Sequence, residues 1–490
     1  MLSHRPKTTC GILRGKLQRE GAYLRKFSVV SLFSGAGGLD LGFAHSGLFE
    51  IVFANDVFAS AMQTYSANLG LKLLMPCGER VEAQASTALV CDVRNVDFSS
   101  LAGADVVIGG PPCQDFSIVR GPDWDRRGIE VRRGRLYAHF VRALAVIQPK
   151  AFLFENVPGL ASVNRGLAYK VIIEDFSHLN MRWDEVRKVI DCNNLGGSAE
   201  GYEIIFSDVV DFSRLGVPQR RERLIIVGVR KDLIERADKL WGSRYLFLKA
   251  LKKFESLLAK YPLTPIETFE GRRLDELEGV YKESIRKWEG IWLDVGTEKA
   301  RRWKSEVWDR LTFSVLDDYL KANGIKSSSL EEIEEALRRH EEALKELGYY
   351  SVSVSSLKLA DGTHEMPKED SAVAERMKMI PFDENHEFVR GTRWEVEGRG
   401  ISLVYRRIHP LKPAYTIVAY GGGGTHGYHY DRDRATLTLR EKARLQTFPD
   451  SFLFSGSKTE IRAQIGEAVP PLAAKRLAQA LAEVLIELEE

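Results

Sequence analysis

The sequence predicts an α/β protein, a parallel β-sheet wound with helices and interrupted late in the chain by an inserted second domain. Three observations carry this. From Ser28 onward, short apolar runs (VVSLF, IVFAND, ALVCDV, ADVVIGG, AFLFENV) alternate with helical patterns such as LYAHFVRALAVI, the rhythm of β-α-β units. After LIIVGVR, which ends at Arg230, the texture turns to charged helices and scattered Trp. An α/β texture then resumes near Arg407 with PAYTIVAY and a closing helix from Pro471. A chain of 490 residues exceeds the usual size of one hydrophobic core. The expected division is a basic extension over residues 1–28, an α/β domain over 29–230, an insertion over 231–405, and a segment 406–490 that returns to the first domain.

Composition excludes more than it identifies. Hydrophobic residues at 44% and charged residues at 28% are ordinary globular values, which argues against disorder and against a membrane protein. The basic N-terminus (Lys7, Arg14, Lys16, Arg19, Arg25, Lys26) lacks the apolar core of a secretory signal. A cytoplasmic protein is expected. Its five cysteines, Cys10, Cys77, Cys91, Cys113 and Cys192, form no C-x-x-C pair and suit reduced thiols better than a disulfide framework or a zinc site. The net charge of +2 neither demands nor excludes nucleic acid.

Each predicted strand ends in a residue suited to function: Ser34 and its glycines, Asp56, Asp92, Pro111 to Cys113, and Glu155. Open parallel sheets bind ligands at the carboxyl ends of their strands, so these ends are expected to line one crevice. FSGAGGLDLGF (Phe33 to Phe43) follows a strand and precedes a helix, so its glycines allow a ligand to approach backbone at a helix N-terminus. The competing reading is a plain tight turn. Asp56, about twenty residues on, is placed to accept hydrogen bonds from ribose hydroxyls and moves the balance toward a nucleoside cofactor.

GGPPCQDFS (Gly109 to Ser117) is the sharpest feature, since two glycines and two prolines frame one cysteine directly after a buried strand. Cys113 reads as a nucleophile, whereas the other cysteines carry the ordinary expectation of inert thiols. Attack requires thiolate, and a free thiol pKa of about 8.5 means that the site must activate it. Glu155 of ENV ends the next strand, where a carboxylate can hold a proton; alone it would be a solvated loop residue. QRRERLIIVGVR sets Gln219, Arg221 and Arg223 on alternate positions leading into a strand, so the three share one face. Such a row can grip a base or phosphate, and its bland alternative is an exposed charged edge.

Taken in order, FSGAGG, PPCQ, ENV, Q-x-R-x-R, RLQTFPD and GEAVPP resemble the cytosine-5 DNA methyltransferase family, with a match from about Val29 to Arg230 and from about Arg407 to Ala482. The resemblance implies a Rossmann-like S-adenosylmethionine-dependent methyltransferase sheet with an inserted target-recognition domain. It implies that Phe33, Gly35, Gly37 and Gly38 shape the S-adenosyl-L-methionine site, with Pro111 beside them, while Asp56 holds the ribose and Asp92 the adenine amino group. It further implies that Cys113 attacks cytosine C6, Glu155 engages N3 and the exocyclic amine, Arg223 contacts O2, and Arg221 with Gln219 orders the site. Glu467 stands where the family usually has Asn and is expected near the cofactor. The basic, glycine-containing segment IVRGPDWDRRGIEVRRGR corresponds to a closing loop. The implied partner is double-stranded DNA with a flipped base, with a restriction endonuclease as functional companion. The protein is expected to be a monomer of the prokaryotic cytoplasm or nucleoid, with no membrane.

The insertion corresponds by position to the region that carries sequence specificity. Within it, Ser329 and Glu332 predict a capping box, Leu330, Ile333, Leu337, Leu344 and Leu347 share one side, and Gly348 supplies the stop. Arg286, Lys287 and Trp288, then Arg301, Arg302, Trp303 and Lys304, interleave basic and aromatic residues, which core packing explains equally well. His426, His429 and Asp431 have a spacing open to a metal reading, but a loop is favoured and no metal is assigned. Three rivals remain. An RNA cytosine-5 methyltransferase of the same fold would carry a Cys-Phe-Thr signature that the sequence lacks. A silent DNA-binding partner is disfavoured by the joint retention of Cys113, Glu155 and Arg223. A nicotinamide oxidoreductase leaves PPCQ unexplained.

Overall fold

The structure is a computed structural model that describes residues 25–76, 80–112, 136–162, 166–179, 200–234, 237–396, 404–419, 425 and 427–489. Strands β1 (Phe27–Leu32), β2 (Phe49–Asp56), β3 (Lys72–Leu74), β5 (Thr87–Val90), β7 (Val106–Gly109), β8 (Ala151–Asn156), β9 (Tyr202–Asp211) and β10 (Glu222–Arg230) form one sheet; β4 (Val81–Glu82) and β6 (Val96–Asp97) form a small separate pair. The order is β3-β5-β2-β1-β7-β8-β10-β9. From β1 the chain runs outward to one side through β2 and then resumes on the other through β7. The crevice expected of such a sheet therefore lies above the carboxyl ends of β1, β2 and β7.

The sequence rhythm predicts a parallel sheet through LIIVGVR, and here the structure differs. β10 runs antiparallel to both β8 and β9. The reason is local: a connection of only Phe212 to Arg221, opening on a single helical turn at Phe212–Leu215, joins β9 to β10, so they pair as neighbours without a crossover helix.

Side chains alternate cleanly between two layers. Val29, Val106, Ile108, Leu153, Ile225 and Val227 face a core shared with helices α1 (Gly38–His45) and, near the end of the chain, Pro471–Glu489. Val30, Leu32, Val107, Phe152, Phe154 and Ile226 face the opposite core with α3 (Leu136–Ile147) and α4 (Leu167–Ser177), while α2 (Ala59–Leu69) follows β2. Phe140, Phe152, Phe154 and Phe176 meet there edge-on or tilted, with centroids 4.6–6.0 Å apart.

The helix after Arg230, α5 (Ala237–Leu258), still belongs to the sheet, since Phe247, Ala250 and Leu251 are buried in the first of those cores. A helical lobe follows, with α6 (Pro265–Glu270) and α7 (Leu330–Glu346). Trp288 and Trp303 are buried in its core, so packing accounts for both aromatic residues of the basic stretches. The capping box of Ser329 and Glu332 forms as predicted, and Gly348 takes the left-handed conformation at φ 75°. Leu330 departs from the expected stripe: at 86% exposed it lies outside the buried face of Leu337, Leu344 and Leu347. Beneath that helix His340 and Glu267, both buried, meet at 3.0 Å.

The segment expected to return to the sheet is divided. Ile408 to Ile465, including α8 (Leu439–Leu445), bury their apolar side chains with the helical lobe, and α9 (Lys458–Glu467) leads back to α10 (Pro471–Glu489), which packs on α1 and α5. PAYTIVAY forms no strand among the described residues beyond an isolated bridge between Gln219 and Ala414. What holds this segment is Arg407. Its buried guanidinium donates to the carbonyls of Met377, Ile380, His429, Asp431 and Arg434, drawing two remote stretches of main chain together. Arg407→Met keeps the volume and orphans these acceptors, so the free energy of unfolding is expected to fall by about 3 kcal/mol or more. Chemical denaturation checks this; an unchanged midpoint would mean that the carbonyls find other donors.

Candidate active site

The strand ends place three groups of side chains side by side. The first surrounds the glycine loop. Leaving β1, the chain passes through positive φ at Phe33 (56°), Gly35 (55°) and Gly37 (89°) before α1 begins. A Cβ on Gly37 would lie 2.7 Å from both Tyr65 and Leu69, and one on Gly38 would lie 2.4 Å from the Val469 carbonyl. The loop is thus wedged between α2 and the closing GEAVPP segment. The Asp56 carboxylate accepts from the Gly35 N–H at 2.9 Å and from the Phe58 N–H at 3.0 Å, and burial raises its pKa. Each oxygen keeps a lone pair for a further donor. Cys91 N–H donates to the Asp56 carbonyl at 3.0 Å, which sets Asp92 on the adjoining strand end. Asp92 is already engaged by Arg94, whose guanidinium and backbone N–H hold its pKa down.

Sequence reasoning missed three residues here. Val57 and Phe58 follow Asp56 and are 56% and 57% exposed, an apolar wall beside an acceptor. Their signal was available: two large apolar residues in a turn before a helix. Asp40, buried beneath the loop, accepts from the Tyr65 hydroxyl at 2.8 Å, and burial pushes its pKa up to about 6.

The second group surrounds the chain that leads to Cys113. Cys113 itself and the expected closing loop, Ile118 to Arg135, lie outside the described residues. A Cβ on Gly109 would lie 2.5 Å from the Leu32 carbonyl, and one on Gly110 would lie 2.6 Å from Glu155 Oε2. Glu155 therefore rests against main chain that no other residue could present so closely. Its Oε1 pairs with Arg223 Nε at 2.9 Å. Burial raises the Glu155 pKa, against the opposing pull of Arg223 and Arg221, so the group lies above the ordinary carboxylate range.

The third group is the alternating row, and it is no exposed edge. Gln219 is buried, donates to the Leu445 carbonyl and Gln446 Oε1, and accepts from Ile417 N–H at 2.9 Å. Arg221 is buried and donates to the carbonyls of Ile417, Gly466 and Glu467 at 3.3, 2.9 and 3.3 Å; burial, with Arg223 nearby, pulls its pKa down to about 9. These two side chains clamp the C-terminal segments to the sheet, while Arg223 alone reaches the carboxylate. Glu467 offers Arg221 its carbonyl and leaves its side chain exposed. His429 is buried against Phe269 and Tyr430, Asp431 pairs with Lys287, and His426 lies outside the described residues.

Gly110→Ala follows from this geometry. The added methyl must move the Glu155 carboxylate or the turn, so the chemical step is expected to slow by about 100-fold. Single-turnover kinetics beside a thermal melt would check this, and a wild-type rate would mean that the contact is slack.

Comparison with known proteins gives the family. Residues 27–483 match the family described as C-5 cytosine-specific DNA methylase. The DNA (cytosine-5-)-methyltransferase M.ApeKI of Aeropyrum pernix is 68% identical, over 94% of this chain and 99% of its own length. The Type II methyltransferases M.NgoFVII of Neisseria gonorrhoeae and M.BbvI of Brevibacillus brevis are 30% and 29% identical, over 93% and 95% of this chain and 86% and 93% of theirs. The chain belongs to the C-5 cytosine-specific DNA methylase family.

Proposed function

We propose that this DNA (cytosine-5-)-methyltransferase carries out its reaction with Cys113 as nucleophile and Glu155 as the group that manages charge at cytosine N3. The observation that carries this reading is the Glu155 carboxylate, buried against Gly110 and paired with Arg223 at the strand end beside the chain that leads to Cys113. Cytosine C5 is a poor nucleophile. Addition of the thiolate at C6 converts the ring to an enamine that can take a methyl group at C5; loss of the C5 proton and departure of the thiolate then restore the base. A carboxyl group with a raised pKa can place a proton on N3 as negative charge develops there. Arg223 would meet O2, with its guanidinium already oriented by Glu155. Since C6 is inaccessible in a stacked duplex, the base must be flipped at a cost of a few kcal/mol.

The residues present fit S-adenosylmethionine. Asp56 has acceptor capacity for ribose hydroxyls, Val57 and Phe58 offer an apolar wall to adenine, and Phe33 and Gly35 lie half-buried in a turn that the buried Gly37 and Gly38 hold against α2 and the closing segment, with Pro111 following Gly109, the partner of Leu32 on the adjoining strand. The bound cofactor supplies the electrophilic methyl group. Asp92 would accept from the adenine amine while keeping its contact with Arg94. Glu467, exposed at the end of α9, would act on the charged end of the cofactor.

DNA is the substrate. We read the helical lobe as the region that selects the target sequence, and the relatedness to Type II methyltransferases as support for a restriction–modification pairing in a prokaryotic cytoplasm, with the protein acting as a monomer. No helix among the described residues is long and apolar enough to cross a membrane.

Two experiments test this reading. A duplex carrying 5-fluorocytosine at the target, incubated with S-adenosylmethionine, should trap a denaturant-resistant adduct that maps to Cys113. Cys113→Ala should form none, and Glu155→Gln should form it slower by orders of magnitude with specific DNA binding intact. Trapping on RNA and not DNA would favour the RNA-modifying rival; tight DNA binding without an adduct would favour the silent partner. Separately, exchanging residues 231–405 for those of a relative with another target should change the methylated sequence. A folded, active chimera with the original target would refute the assignment.

A further inference from the structure

Strands β7 and β8 pair in parallel as far as Gly109 opposite Phe154. Beyond that point the ladder cannot continue, because Pro111 and Pro112 have no N–H to donate. Pro111 is buried, so its carbonyl must find a donor other than water. It finds Asn156 Nδ2 at 3.0 Å. The other end of the same amide, Oδ1, accepts from the Val157 N–H at 2.9 Å. Asn156 is the last residue of β8, is 3% exposed, and directly follows Glu155. One side-chain amide thus closes the interrupted ladder on both strands, donating across it and accepting along it. Of similarly shaped side chains, Asp in its ionised form could only accept.

We infer that Asn156 is a positioning residue, whose amide fixes the Pro111 carbonyl and so sets the course of the main chain into Cys113 relative to the Glu155 carboxylate. The inference rests on the proposed roles of Cys113 and Glu155 and adds the element that relates them. Gly110 permits the close approach to Glu155, but permission is not restraint, and the two prolines remove the backbone bonds that would otherwise hold the turn to β8. Covalent addition requires aligned atoms, and a displacement near 1 Å can cost about 100-fold in rate.

The test uses the full chain and the rate of adduct formation on 5-fluorocytosine duplex at saturating S-adenosylmethionine and DNA. Asn156→Asp and Asn156→Ala are both expected to slow that rate by about 100-fold near neutral pH, with the dissociation constants for DNA and S-adenosylmethionine unchanged. The variants part on acidification. Once protonated, the carboxyl group introduced by Asn156→Asp regains an O–H donor for Pro111 and keeps an acceptor for Val157. The rate of that variant should therefore climb toward the wild-type rate at mildly acidic pH, whereas Asn156→Ala should not recover. Glu155, Arg221 and Arg223 face this corner in every form of the protein, so the ratio to wild type at each pH isolates the substituted group. Thermal melts over the same range separate positioning from stability. If Asn156→Ala fails to fold, Asn156→Asp, which keeps the shape, carries the test. Wild-type rates at saturation in either variant would overturn the inference, as would a recovery in Asn156→Asp that merely follows its melting temperature. Absence of an adduct with the unsubstituted protein would overturn the reading of Cys113, and this inference with it.

Discussion

The site depends on one close contact, the Glu155 carboxylate lying where a side chain on Gly110 would otherwise be. A carboxylate buried at a strand end is costly without a partner. Arg223 supplies that partner from β10, and Arg221 adds a second positive charge behind it. Everything else about the site follows from holding these groups in register. β8 and β10 must pair so that Glu155 lies opposite Ile225, which brings Arg223 across the end of β8. This is the physical use of the antiparallel strand. A parallel β10 would have presented Arg223 at the opposite end of the sheet, far from the carboxylate.

The same strand joins the two halves of the molecule. Gln219, Arg221 and Arg223 alternate toward one face, yet they do different work. The first two spend their donors on carbonyls from Leu445, Ile417, Gly466 and Glu467, fastening segments more than 190 residues distant to the sheet. A guanidinium suits this because its donors fan out in a fixed plane and its charge is hard to lose. Arg407, Arg440 and Arg444 repeat the device in the helical lobe, each buried and each satisfying several carbonyls or a paired Asp. The lobe is therefore tied to the sheet by directional bonds as well as by apolar packing, which holds the two in fixed relation.

The glycine-loop side is built more simply. The Gly35 N–H and the Asp56 carboxylate meet directly, so the glycine loop and the acidic strand end form one unit before any ligand arrives. The approach of Gly38 to the Val469 carbonyl joins that unit to the closing segment. Glu467 adds its backbone carbonyl to this junction, where Arg221 donates to it.

Much of this was legible in the sequence. Alternation of apolar residues marks strands and their faces, glycine and proline mark turns, and the strand-end residues Ser34, Asp56, Asp92, Pro111 to Cys113 and Glu155 carry the expectation of one crevice. These are local properties, written at periods of two and about 3.6 residues. What the sequence could not express is which remote acceptor a polar side chain would choose. The role of Asn156 depends on the carbonyl of Pro111, which lies past the end of β7 where two prolines stop the ladder; that of Gln219 and Arg221 depends on main chain from the far end of the protein. The reversal of β10, the exposure of Leu330 and the division of the C-terminal segment between two cores were likewise decided by packing, because each depends on which surfaces remain to be covered once the sheet has formed.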